Sequence, residues 1–225
     1  QTISVAQAIP LLLGANMGAT LTVQLIAFNF YDFSPLIIAV GFFIASYARR
    51  KRVKSIGTSI LGFGFIFLGL HLLTVGLRPL SAYPWVREGG LILQDWPLLM
   101  IMISAILTAF LHSCAATLGI AIALGSEGIL TLQNVIPIVL GANIGTCATA
   151  GMASLHGPVE GKRVAVAHAL IKLLGVALVA PFMAPFTDDL TRMAQTLPRQ
   201  IAYAHTLFNL GLLVLFLPLS TLLAG

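Results

Sequence analysis

Charge is what this sequence has least of. Its 225 residues include 12 Lys and Arg and 7 Asp and Glu, only 8% charged in all, where a soluble domain carries about a quarter. A surface solvated mainly by water is therefore excluded. Cysteine is scarce too, at two residues. Cys114 and Cys147 both fall in apolar segments, which rules against a disulfide framework or a cysteine metal site. Residues 1–13 lack a basic leading region, so no cleavable signal peptide is expected. No zinc-protease pattern, Gly-x-Ser-x-Gly elbow or nucleotide loop occurs, and an enzyme is the least expected class. What the chain has instead is apolar bulk, 58% hydrophobic residues and a mean hydropathy of +1.00. Lipid must be its main solvent. The net charge of +5 then reads as a set of topology signals rather than a nucleic-acid footprint.

Within that bulk one block occurs twice. Gly14-Ala15-Asn16-Met17-Gly18-Ala19-Thr20 returns 127 residues later as Gly141-Ala142-Asn143-Ile144-Gly145-Thr146-Cys147. Ile9, Pro10, Leu13 and Thr22 meet Ile136, Pro137, Leu140 and Thr149 at the same offset. The chain therefore divides into two repeats, residues 1–95 and 96–225, within a single membrane domain. The second copy opens near Trp96-Pro97, which places the start of the first roughly thirty residues before Gln1. The first copy is accordingly expected to be incomplete at its N-terminus.

A membrane span needs about 20 apolar residues. Residues 55–77, 164–186 and 201–224 qualify, and 34–47 is a short candidate. Residues 2–30 and 129–155 are long enough but carry the Gly-Ala-Asn block at their centres, so each is predicted as a broken helix. Residues 98–124 are interrupted by His112-Ser113-Cys114-Ala115-Ala116-Thr117 and form either one broken span or a re-entrant hairpin. The basic run Arg49-Arg50-Lys51-Arg52-Val53-Lys54 marks the cytoplasmic side. A hairpin at 98–124 would make the two repeats inverted, and a single crossing would make them parallel. Basic-residue counting does not choose between them.

Broken helices expose backbone N–H and C=O groups that must be satisfied by protein, water or ligand. Half-helix N-termini suit an anion, and freed carbonyls suit Na⁺. On this chemistry Asn16 and Asn143 are candidate substrate ligands, offering donor and acceptor together. Gly14, Thr20, Gly141 and Thr146 are candidates for ion binding. The competing reading is close helix packing, because both glycine pairs have the Gly-xxx-Gly spacing.

Several motifs together resemble the type II sodium-dependent phosphate cotransporters and their bacterial relatives, over essentially the whole chain. They are the two Gly-Ala-Asn blocks, Gly62-Phe63-Gly64-Phe65-Ile66-Phe67-Leu68-Gly69-Leu70, His205-Thr206-Leu207-Phe208-Asn209 and Phe216-Leu217-Pro218. The resemblance implies a Gln-Ser-Ser-Ser-Ala-Thr motif at a hairpin tip in each half. Here the second corresponds to residues 112–117, with Ser113, Cys114 and Thr117 as substrate ligands and His112 at an ion-binding position. His112, Cys114 and Ala115 depart from that motif, and Cys147 replaces a threonine, so half of the implied site has lost hydroxyls. Lys172 stands where the resemblance implies an asparagine. An ionisable group at that depth is a functional candidate, here as a charge substitute for a bound cation. The competing reading is a lysine stem that snorkels to the headgroups.

The sequence thus predicts an all-α integral membrane protein of two inverted repeats, with broken transmembrane helices and a re-entrant hairpin. The function implied is secondary transport of inorganic phosphate coupled to sodium, in a multi-pass bacterial inner-membrane protein. It uses no cofactor or bound metal beyond Na⁺ as coupling ion. Its partners are phosphate, sodium and membrane lipid, with room for a homodimer and no role for nucleic acid. The alternatives are a carrier of another oxyanion, a proton-coupled phosphate carrier, or a transport-inactive scaffold or sensor.

Overall fold

A computed structural model describes residues 4–28 and 30–220, and among these every regular element is helical. The chain runs α1 (Val5–Ala27), a 3₁₀ turn (Phe30–Phe33), α2 (Ser34–Tyr47), α3 (Lys51–Ser81), α4 (Pro84–Gln94), α5 (Pro97–Leu111), α6 (Cys114–Ser126), α7 (Leu132–Gly145), α8 (Cys147–Ser154), α9 (Val159–Val179), a second 3₁₀ turn (Ala180–Phe182), α10 (Met183–Met193) and α11 (Leu197–Phe216). Prolines stand at the first positions of α2, α4, α5 and α11, where the missing N–H costs nothing. Among the described residues five helical stretches are long and apolar enough to cross a membrane, and six if the bent pair α4 and α5 is one span. Large apolar side chains such as Leu21, Phe42, Leu72, Phe110 and Val214 are exposed, as a lipid-facing surface requires. The protein is a multi-pass membrane protein.

The interruption at 98–124 is a hairpin. α5 ends at His112, whose backbone turns left-handed (φ 54°, ψ 22°), and Ser113 caps α6 by accepting from the Ala116 N–H at 3.2 Å. The arms come back together, and the Thr108 and Thr117 hydroxyls meet at 2.8 Å. At ~1.5 Å per residue each arm is about 20 Å long, short of a full crossing.

The expected breaks at the Gly-Ala-Asn blocks do not form as predicted. Gly14 to Thr20 lies inside the unbroken α1. In the second copy α7 continues through Gly145 and is interrupted only at Thr146, which itself keeps helical dihedrals. The polar residues satisfy themselves within the helix. Thr20 Oγ1 donates to Met17 O at 2.7 Å, Asn143 Nδ2 to Val139 O at 2.9 Å and Thr146 Oγ1 to Asn143 O at 2.6 Å. Gly141 and Gly145 let α7 press against α5. A Cβ at Gly141 would collide with the Ile101 carbonyl oxygen and one at Gly145 with the Ala105 carbonyl oxygen. Ser104 on α5 seals the contact by donating to Ile138 O at 2.7 Å. Gly14 and Gly18 have no such neighbour within 4 Å.

Contacts between helix ends fix the directions. Arg199 at the start of α11 lies over the Phe28 ring at the end of α1, 4.4 Å from its centroid. Arg78 near the end of α3 pairs with Glu127 just after α6 at 3.5 Å. Asn134 at the start of α7 donates to Gly90 O of α4 at 2.8 Å. A Cβ at Gly125, near the end of α6, would collide with Leu197 at the start of α11. At this face α1, α3 and α6 end, and α7 and α11 begin. Two amphipathic helices, α4 and α10, flank it. The first was not foreseen, and the second lies partly inside the expected span at 164–186. Residues 221–224 of the expected last span, and residues 2, 3 and 29 of the first, lie outside the described residues.

Candidate functional site

The polar residues of four different helices converge halfway through the bundle. Lys172 is 1% exposed. Its Nζ donates to Asn143 Oδ1 at 2.8 Å and to Asn209 Oδ1 at 2.7 Å, and it lies 5.7 Å from the centroid of the Phe208 ring. Each asparagine is held in turn by its own helix, Asn143 through Val139 O and Asn209 through His205 O at 2.9 Å. That leaves both side-chain oxygens aimed at the ammonium. Asn143 is about 17 Å along α7 and Asn209 about 18 Å along α11 from the shared face, so the cluster lies near mid-span. Snorkelling does not describe this lysine, because its nitrogen points inward to the asparagines.

Around the ammonium stand two histidines. His168, one turn before Lys172 on α9, brings Nε2 to 3.5 Å from Asn16 Nδ2 on α1, the long limit of a hydrogen bond. His205 is one turn before Asn209 on α11. Both are buried, and the Nδ1 of each has no hydrogen-bond partner, an uncommon condition for a buried polar atom. Cys114, the first residue of α6, and Cys147, the first of α8, lie within electrostatic reach of the ammonium. Among the described residues no carboxylate is buried, and Lys172 is the one buried charge.

The structure therefore brings together Asn143, Lys172, Asn16 and Cys114 of the expected site. Ser113 and Thr117 are at the hairpin tip beside Cys114, but the Ser113 hydroxyl caps α6 and that of Thr117 faces Thr108. His112 is exposed at the tip. Gly141 serves helix packing, Thr20 and Thr146 spend their hydroxyls on backbone carbonyls, and Gly14 is exposed.

Pattern reading passed over Asn209, His168 and His205 as site residues, although an internal match marks them. Val164-Ala165-Val166-Ala167-His168-Ala169-Leu170-Ile171-Lys172 aligns with Ile201-Ala202-Tyr203-Ala204-His205-Thr206-Leu207-Phe208-Asn209. Lys172 of α9 thus stands where α11 has Asn209, and the two meet in space.

Apolar helices enclosing a polar, charged cluster at mid-depth, with a hairpin tip beside it, define a membrane transport protein. Residues 1–75 and 92–221 match the model of the Na+/Pi-cotransporter family, and the chain belongs to that family. It is a family of transporters, not enzymes. "Uncharacterized protein YqeW" of Bacillus subtilis is 35% identical over 225 residues, covering 98% of this chain and 71% of that protein. "Putative inorganic phosphate export protein YjbB" of Salmonella typhimurium is 24% identical over 99% of this chain, which spans 41% of its length. "Sodium-dependent phosphate transport protein 2A" of Oryctolagus cuniculus is 30% identical over 128 residues, 55% of this chain and 20% of that protein. No solved structure matches the chain.

Proposed function

We propose that this chain forms the membrane core of a secondary carrier for inorganic phosphate. The observation that carries this is the buried Lys172 ammonium, which has two neutral oxygen partners and, among the described residues, no counter-charge. An ammonium has three donors. Leaving a unit charge in a low-dielectric interior costs several kcal/mol unless it is offset. A bound oxyanion supplies the missing charge and an acceptor for the third donor. Asn16 Nδ2, which reaches His168 one turn from Lys172, adds a donor on the same side of α9. The names of the relatives in Salmonella and rabbit, which speak of phosphate export and phosphate transport, agree with that chemistry.

The repeats would run in opposite senses, since α1 ends at the face where α7 begins. The opposite face carries Arg49, Arg50, Lys51, Arg52 and Lys54 and, at the start of α9, Lys162 and Arg163. These are seven of the twelve basic residues, an excess that supports a cytoplasmic position for that face. A bacterial inner membrane suits this orientation.

Phosphate flux into proteoliposomes holding the full-length protein tests the reading, with sulfate, arsenate and succinate as competitors. Inhibition by arsenate, the isostere, and little by sulfate or succinate is expected. Equal competition by sulfate would shift the substrate to oxyanions in general. Absence of flux and of phosphate-dependent stabilisation would favour a transport-inactive scaffold.

A further inference from the structure

We propose that the Lys172 ammonium is a resident cation that fills the oxygen site of Asn143 and Asn209, so that this carrier moves phosphate without needing sodium there. The inference rests on the carrier reading above and adds the coupling chemistry to it.

The ligand set is the first ground. Two carboxamide oxygens from different helices, each pinned by a hydrogen bond from its own Nδ2, converge on one point in the interior. Neutral, preset oxygens are what a hard monovalent cation takes in place of its water. Here they meet a nitrogen at 2.7 and 2.8 Å. The ammonium carries the same charge as Na⁺, on a tether.

The second ground is exclusion. A sodium ion bound to the same oxygens would sit ~3 Å from Nζ. At an effective dielectric of 20, two unit charges at that distance weaken binding about 10⁴-fold. The internal match between α9 and α11 supplies the third ground. At the position where α11 carries the neutral Asn209, α9 carries a charge. With asparagine at both positions, the cluster would present three carboxamide oxygens and no charge, an open place for a cation. The tethered charge also cannot leave with each cycle, so it cannot transmit a sodium gradient to phosphate.

The test is phosphate flux and thermal stability of the full-length protein in sodium and in choline, for wild type, Lys172→Asn and Lys172→Gln. Wild-type flux is expected to change less than twofold between 0 and 100 mM sodium, with equal melting temperatures in the two salts. At least one neutral variant is expected to gain a sodium-specific rise in melting temperature. The second variant guards against one that fails to fold. A tenfold or greater sodium dependence of wild-type flux would overturn the proposal while leaving the carrier reading intact. So would a sodium-specific rise in wild-type melting temperature that Asn209→Leu abolishes. Folded variants that both ignore sodium would also overturn it. If wild type carries no phosphate yet the neutral variants gain the sodium response, the carrier reading falls and the resident cation stands.

Discussion

The bond between Lys172 and its two asparagines can be measured as a coupling free energy. Asn143→Ala removes one of two acceptors from a buried ammonium. A hydrogen bond to a charged group contributes about 1.5–3 kcal/mol, so this variant should lose roughly 2–3 kcal/mol of stability. Asn143 is also buried, which adds a small cavity term. Lys172→Met removes the charge but keeps a flexible apolar stem of similar length. It leaves Asn143 Oδ1 and Asn209 Oδ1 unpaired, yet it relieves the desolvation of the ammonium, and these effects oppose each other. The informative quantity is the double variant. Once the ammonium is gone, deleting Asn143 strands nothing charged, so Asn143→Ala should cost about 2 kcal/mol less in the Lys172→Met background, about a 30-fold difference in the unfolding equilibrium. Reversible unfolding in mixed detergent micelles, followed by helical circular dichroism, reads all four corners of the cycle. Additivity within about 0.5 kcal/mol would refute the claim that this pair carries the energetics of the cluster.

Substitutions at four further positions probe the frame around the site. Gly141→Ala drives a methyl group into the Ile101 carbonyl oxygen and should cost about 1–3 kcal/mol by prying α5 from α7, seen as a lowered melting temperature. His112 holds a left-handed backbone, so His112→Gly should leave stability equal or raise it by up to about 1 kcal/mol, whereas β-branched His112→Val should lower it. Thermal melts of the two variants side by side decide this. Thr117→Val strands the buried Thr108 hydroxyl at a cost of about 1–2 kcal/mol, and adding Thr108→Val should recover most of the loss. A double variant no better than the single would count against that pair as the clasp of the hairpin.

What the sequence disclosed was unequal across the fold, for physical reasons. Lipid-facing helices show themselves by composition, and the hairpin tip shows itself because His112 and Ser113 interrupt an apolar run. The Gly-Ala-Asn blocks predicted breaks because glycine and asparagine disfavour helix interiors. That preference is only ~1 kcal/mol per glycine. In an apolar segment the cost of leaving backbone groups unpaired at a break outweighs it, and in the second copy the close fit of Gly141 and Gly145 on α5 adds to that. Asn143 and Lys172 could be picked out singly, one as a repeated carboxamide and the other as a charge at mid-span. Their pairing could not, because α8 separates α7 from α9 in the chain and Asn209 arrives from α11. The amphipathic helices α4 and α10 were obscured because a hydropathy window averages their two faces.

The cluster also explains how a bare ammonium survives at mid-span. Both asparagine oxygens are aimed before the lysine arrives, because each carboxamide donates to a carbonyl four residues earlier on its own helix. Aiming the dipoles in advance removes the reorganisation that would otherwise add to the desolvation cost. Phe208 offers its ring face to the same charge. What these neutral groups cannot supply is a full negative charge; the C-terminal end of α7, two residues beyond Asn143, offers only a partial one. On the carrier reading proposed above, a bound anion would complete the arrangement. An oxyanion bound beside Lys172 would neutralise it and accept its third hydrogen.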